Sequence, residues 1–273
     1  MKYSFLAILL LLATQFVSAQ SQTKQQGKLY FYWGWNRGWY TQSDIHFSGT
    51  NYDFTLQNVK ARDRQTKFAL NPYFHPGLFT IPQYNFRFGY FLKENYEISF
   101  GIDHMKYVVQ QHQRVEISGE ISQSGTGYDG VYDKDEVEIE TGFLRFEHTD
   151  GLNFLNIELR RSDRLFTWKR IAFNSSAGLG IGVLLPKTNA TLLGNDRHDD
   201  FNLAGYGFAP VIGLNATFWE TFFVQTELKG GFINMPNIRT TKSPDDRARQ
   251  HFFYTQLNVV FGFLINPHKK DKS

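Results

Sequence analysis

Residues Tyr84–Tyr107 read YNFRFGYFLKENYEISFGIDHMKY, and the alternation within them decides the fold. Tyr84, Phe86, Phe88 and Tyr90 share one face, opposite Asn85, Arg87 and Gly89. After Leu92-Lys93-Glu94-Asn95, the residues Tyr96, Ile98, Phe100 and Ile102 oppose Glu97, Ser99, Gly101 and Asp103. A period of two is the mark of a β-strand. The stretch is therefore predicted to be a hairpin closed by a tight polar turn. Its minor face carries charges in segments otherwise fit for an apolar environment.

The same period recurs along the chain. Leu29, Phe31, Trp33 and Trp35 share a face; so do Leu155, Ile157 and Leu159, against Asn156, Glu158 and Arg160. Phe173 to Leu185 alternates with Asn, Ser and Gly. Tyr206 to Leu214, Phe222 to Phe232 and Phe253 to Ile265 continue the pattern, with Gln225, Glu227 and Lys229 on the minor face of the second. These are eight candidate strands, each near the roughly 9–11 residues of a tilted membrane strand.

The connectors alternate in length. Leu92–Asn95, Ser162–Lys169 and Phe218–Thr221 are short. Trp39–Pro82, Tyr107–Gly151, Lys187–Asp200 and Pro236–Gln250 are long and polar. Structureless loops of about 40 residues are uncommon in compact soluble domains, whereas short turns at one end and long loops at the other suit an outer-membrane barrel. With both termini periplasmic, eight strands place every tight turn inside and every long loop outside. Tyr52–Val59 and Val115–Ile121 alternate weakly, and Val137–Phe146 followed by His148–Gly151 resembles the start of a hairpin. The sheet is expected either to extend above the membrane or to contain a further pair, making ten strands.

The chain has 273 residues and opens MKYSFLAILLLLATQFVSAQ. A positive Lys2, a short apolar run and Val17-Ser18-Ala19 form a secretory signal peptide over residues 1–19. A short segment, 20–27, then precedes the barrel at 28–265, and a polar tail occupies 266–273. With no cysteine, thiolate chemistry and disulfides are excluded. A net charge of +3 argues against nucleic acid. With 27 Phe, 14 Tyr and 5 Trp, aromatics form 17% of the chain, yet no later run is long and apolar enough for a membrane helix.

In a membrane barrel the apolar face points outward. An Arg or Lys facing lipid near the midplane costs about 2–4 kcal/mol, so Arg87, Arg160 and Lys229 are predicted to face the lumen. Glu97, Asp103, Glu158 and Glu227 share their faces, and pairing is expected among these seven, with Arg87 to Glu97 as the cross-strand pair and Asp103 nearer Pro82. Glycine on the minor face leaves room for long side chains opposite. Trp33, Trp35, Trp39, Trp168 and Trp219 are assigned to interfacial girdles near strand ends.

The signal peptide, the aromatic strands, the turn–loop asymmetry and the last strand HFFYTQLNVVFGFLI together resemble the small outer-membrane β-barrel proteins of Gram-negative bacteria, over about Lys28 to Ile265. The common barrel pattern ends on an aromatic residue, whereas eight residues follow Ile265 here. Some barrels of this kind are lipid A deacylases or acyltransferases that use a His, a Ser and an acid. Here Ser99, Asp103 and His104 lie on one strand, with His75, His148 and His251 near the outer edge. Neighbours on a strand point to opposite faces, so Asp103 and His104 diverge, and His104 is left as a lone candidate base at the rim, beside Lys106, where lipopolysaccharide phosphate lies.

No metal site or cofactor is expected. Asp129, Asp133, Asp135 and Glu136 lack EF-hand spacing, and Asp196–Asp200 reads as a solvated loop. The glycosylation-like triplets at Asn174, Asn189 and Asn215 read as coincidence. The expected protein is an all-β antiparallel transmembrane barrel with a charge-plugged lumen and long extracellular loops. Its expected role is structural or surface-interacting, with outer-membrane lipid, lipopolysaccharide and an external loop ligand as partners. The alternatives are a lipid A-modifying enzyme, a narrow small-solute channel in a barrel of ten or more strands, and a soluble secreted β protein.

Overall fold

The computed structural model describes residues 25–267 except positions 76, 79, 80 and 196. The signal peptide at 1–19, the start of the 20–27 segment, Asp196 and most of the 266–273 tail lie outside the described residues.

Fifteen strands follow one another: β1 (Leu29–Tyr40), β2 (Ser43–Gly49), β3 (Tyr52–Val59), β4 (Ala61–Arg62), β5 (Tyr84–Phe91), β6 (Tyr96–Val109), β7 (Arg114–Ile121), β8 (Gly130–Glu138), β9 (Leu144–Trp168), β10 (Ile171–Leu184), β11 (Lys187–Leu192), β12 (His198–Phe201), β13 (Gly205–Phe218), β14 (Phe222–Arg239) and β15 (Arg247–Ile265). Eight of them close a ring in the order β1-β5-β6-β9-β10-β13-β14-β15, sealed by antiparallel pairing of β15 with β1. A closed ring has no unpaired edge, the condition for crossing a bilayer with strands.

Following hydrogen-bond partners around the ring gives its stagger. Phe31 meets Phe88, then Phe100, Ile157, Ile181, Phe208, Phe232 and Phe253. Phe253 accepts the amide of Thr41, so the circuit returns to the first strand ten residues above its start. Strands of a closed barrel must tilt to accommodate such a stagger. Every residue on that circuit is aromatic or aliphatic and faces outward. Phe100 is 50% exposed, Ile157 53% and Ile181 65%. An apolar exterior of this extent is stable only against lipid.

The tight turns all lie at one end, at Leu92–Asn95, Lys169–Arg170 and Trp219–Thr221. Two connectors are shorter than the sequence pattern predicts. β9 runs on through Ser162 to Trp168, and β14 and β15 pair out to Arg239 and Arg247, leaving only Thr240–Asp246 between them. Among the described residues no fifth hairpin joins the ring, which has eight strands and not ten. Val137 is the penultimate residue of β8, and residues 144–151 begin the 25-residue strand β9 instead of opening a hairpin.

The long loops are largely sheet. β2, β3, β7 and β8 continue in that order from the upper half of β15. Opposite them, β11 and β12 extend the upper part of β9, and β4 pairs with the top of β6. The two flaps face each other across an apolar core. Phe47 stacks on Phe54 at 5.3 Å and meets Phe146 at 5.6 Å, while Phe143 packs on Phe54 at 5.9 Å. Ile45, Leu56, Ile117, Leu144 and Leu192 are fully buried beside them. This core reaches down to Leu152, Phe154, Ile233 and Phe252 at the loop end of the barrel.

Candidate functional site: the barrel lumen and its outer rim

The minor faces of the ring converge on the lumen. Glu158 of β9 lies at the centre of three cations: Arg160 at 2.5 Å, Lys229 at 2.6 Å and Arg87 at 2.8 Å. Lys229 also reaches Asp103 at 2.6 Å, and Arg160 reaches Glu227 at 2.6 Å. Arg87 stands 3.9 Å from Asp103. All six charges are essentially inaccessible to water. Three positive and three negative groups cancel, and a buried charge is tolerated only when it is paired and hydrogen-bonded.

Neutral side chains satisfy what the ion pairs leave over. The Tyr32 hydroxyl donates to Glu227 at 3.1 Å and accepts from Arg87 at 3.0 Å and Arg160 at 3.2 Å. Asn156 accepts from Arg87 at 2.7 Å and donates to Asp103 at 3.0 Å. Asn258 donates to Glu227 at 2.9 Å, Ser99 accepts from Arg87 at 3.1 Å, and Asn85 hydrogen-bonds Asp103. Tyr32 went unnoticed in the sequence, although its alternation with Trp33 and Phe31 places it inward. Glycine makes the space. A Cβ at Gly101 would lie 2.8 Å from Arg87 Cζ, and one at Gly180 would lie 2.7 Å from Glu158 Cγ.

The expected Arg87–Glu97 pair does not form. The hairpin register sets Phe91 opposite Glu97, Arg87 opposite Gly101 and Asn85 opposite Asp103. Glu97 is thus four residues from Arg87 along the hairpin, about 13 Å at strand rise, and Asp103 lies beside Arg87 rather than beyond Pro82. Glu97 instead stands opposite Arg160 in the β6–β9 register, on the tight-turn side of the ion-pair cluster, where it lines a cavity of about 50 Å³ with Glu94, Asn95 and Gln225. One water needs roughly 10–15 Å³, so this space accommodates a few waters.

The tryptophans divide. Trp168 and Trp219 stand at the tight turns, 57% and 64% exposed, and Trp39 is half exposed near the upper end of β1. Trp33 and Trp35 are not at a strand end, because β1 continues to Tyr40. Trp33 lies opposite Phe86 and Phe261, and Trp35 is covered by Tyr73 and Phe74 at 5.4 and 5.2 Å.

His104 faces outward from β6, as the pleat requires, while Asp103 faces in. Its ring stacks on Tyr84 at 4.8 Å, Nδ1 meets Asn153 Oδ1 at 2.8 Å, and only 8% of the residue is exposed. Ser99 and Asp103 belong to the lumen cluster, so the three residues are not brought together. Among the described residues, no group of three metal-ligating side chains forms.

No protein-family model matches the chain, and no curated protein does. Among solved structures it is similar to the outer membrane protein OprG from Pseudomonas aeruginosa, with 11% identity over 90% of this chain and 99% of that one and a TM-score of 0.38. It is similar to the outer membrane protein AlkL at 12% identity, 93% and 97% coverage and a TM-score of 0.42. Ail of Yersinia pestis overlaps at 8% identity, 88% and 99% coverage and a TM-score of 0.33. Superpositions this loose carry no argument about activity. The closed ring of eight antiparallel strands, apolar outside and polar within, itself defines the chain as a β-barrel of the bacterial outer membrane.

Proposed function

We propose that this chain is a closed outer-membrane barrel whose work is done at its extracellular face, as a structural and surface-interacting protein rather than a pore. The observation that supports it is the double filling of the lumen: the neutralised ion-pair cluster around Glu158 in the membrane, and the Phe47–Phe54–Phe146 core above it. An eight-stranded barrel has an interior about filled by its own side chains. A solute path would have to break both layers. What the barrel offers the exterior is a rigid double flap of sheet standing on the ring.

The test is conductance of the purified full chain in planar bilayers. Silence is expected, and steady unitary currents overturn the reading. Lipid A mass spectra from cells with and without the protein address the rival enzyme reading. An unchanged acylation pattern is expected, since the His104 ring is covered by Tyr84 and its Nδ1 is engaged by the Asn153 amide.

A further inference from the structure

The segment between β4 and β5 leaves the top of β6 and folds over the outer wall of β1. Tyr73 and Phe74 pack on Trp35, and Phe68 packs on Tyr73 at 5.1 Å. The segment is held by Lys106, whose ammonium donates to the Ile81 carbonyl at 2.8 Å, and by Asp63, which accepts the Gly38 amide at 3.0 Å. Yet it turns apolar side chains away from the protein. Leu70 is 76% exposed, Phe68 74%, Phe74 57% and Ile81 49%. Such a cluster would be costly in water. It adjoins the lipid-facing wall through Trp35, which continues into Trp33 and Phe261.

The start of the same segment borders a groove of about 270 Å³ on the outer wall of β6 and β9, near the low end of small-molecule pockets, about 300 Å³. Arg62, Arg64 and Arg145 line it. Arg64 is held by Glu147 at 2.8 Å, and that buried carboxylate also accepts from Asn189. Among the described residues, Arg62 and Arg145 have no carboxylate within ion-pairing distance. Two uncompensated guanidinium groups beside a third form a fork-shaped donor set suited to phosphate.

We propose that this outer wall is a binding site for an acylated, phosphorylated glycolipid of the outer leaflet. Phe68, Leu70, Phe74 and Ile81 enter its acyl chains, and Arg62 and Arg145, with Arg64 beside them, hold a phosphate of its saccharide head. The proposal rests on the surface-interaction reading and names the partner and the site. Acyl chains below and phosphate above match the order of the two halves of the site along the wall. Lys106 fixes the segment that joins them.

The test uses the full chain purified from outer membranes in mild detergent, with co-extracted glycolipid measured per protein by mass spectrometry. Wild type is expected to retain it in near-stoichiometric amount. Arg62→Gln with Arg145→Gln, and separately Phe68→Ser with Leu70→Ser and Phe74→Ser, are each expected to lower retention at least five-fold. A faster-migrating band before boiling checks that each variant is still a folded barrel. Delipidated wild type is then offered phosphorylated glycolipid, its dephosphorylated form, or inorganic phosphate alone. Preference for the phosphorylated glycolipid by about ten-fold, lost in the arginine variant, supports the site. Equal binding of the dephosphorylated form, equal effect of inorganic phosphate, or undiminished retention by both folded variants overturns it. Those failures leave bilayer silence untouched, whereas conductance in wild type defeats the closed-barrel reading and leaves the lipid ratio unchanged.

Discussion

The membrane half and the extracellular half of this molecule are built from the same strands with opposite polarity. In β15, Phe253, Leu257, Val259, Phe261 and Phe263 face out while Gln256 and Asn258 face in. Above Phe253 the outward residues become Arg247, Arg249 and His251, and the inward ones are Ala248, Gln250 and Phe252, two of the three apolar. β14 does the same, passing from inward Glu227 and Lys229 to Ile233 and Met235, and β9 passes from Arg160 and Glu158 to Phe154 and Leu152. The pleat keeps its parity along β15 and only the chemistry of each face changes. The solvent decides the sign: lipid takes the apolar face below, water takes the polar face above.

The sharpest way to break the membrane half is to remove its central acid. Glu158→Ala leaves Arg87, Arg160 and Lys229 around an empty position, and loss of about 3–5 kcal/mol is expected for a buried pair broken on one side. Guanidinium unfolding followed by tryptophan fluorescence in detergent measures it. Arg87→Ala should lose stability in the same assay, and an unaltered midpoint would contradict the paired lumen. In the extracellular half the equivalent blow is apolar. Phe54→Ala removes a fully buried ring between Phe47 and Phe143, at a cost of about 3–5 kcal/mol confined to the flaps. Protease should then cut the flaps while the slow-heating band shift of the barrel persists. Simultaneous collapse of both would show that the halves are one cooperative unit.

Acid provides a gentler separation. His148 lies above the apolar belt, buried among Tyr107 and Phe146 with Thr188 on Nδ1, and burial pushes its imidazole down to about 3. An exposed imidazole titrates near 6.5. Between those values the unfolded chain binds the extra proton, so the stability from neutral His148 is complete above about pH 6.5 and drains as pH falls toward 3. Burial lowers His46 and His198 in the same sense. Hydrogen exchange at pH 7.5 and 4.5 should show the flaps opening first, and His148→Phe should flatten that dependence. The smallest effect is expected at Glu97. It faces Arg160 at the edge of the cluster without the close ion pairs that Glu158 makes to three cations, so Glu97→Gln should shift the unfolding midpoint far less than Glu158→Gln. Equal shifts would show that Glu97 carries as much of the pairing to Arg160 as Glu158 does.

The barrel strands were legible because a lipid-facing wall leaves a strong period of two. Phe86-Phe88-Tyr90 against Arg87 and Gly89 admits few other readings. The extracellular sheet was harder to see. Its outward residues are polar, so β2, β3, β7 and the upper ends of β14 and β15 merge with loop composition. Irregular registers at Ser43/Ile45, Met105/Tyr107, Ile117/Ser118 and Met235/Ile238 also interrupt the phase. Gly151, with φ of +126°, lies in the irregular pairing between His148 and Leu152, which hid the fact that residues 144–168 are one strand.

What the amino-acid sequence determined alone is which side chains share a face, since the pleat alternates regardless of context, and that the apolar face must meet lipid. It therefore placed Arg87, Glu97, Asp103, Glu158, Arg160, Glu227 and Lys229 on the inner face and His104 on the outer one. Which of them touch was decided by the closed ring. Lys229 of β14 reaches Asp103 of β6 across the lumen because closure with a ten-residue stagger brings the two to one level. No spacing along a single strand carries that information, because it is a property of the whole circumference.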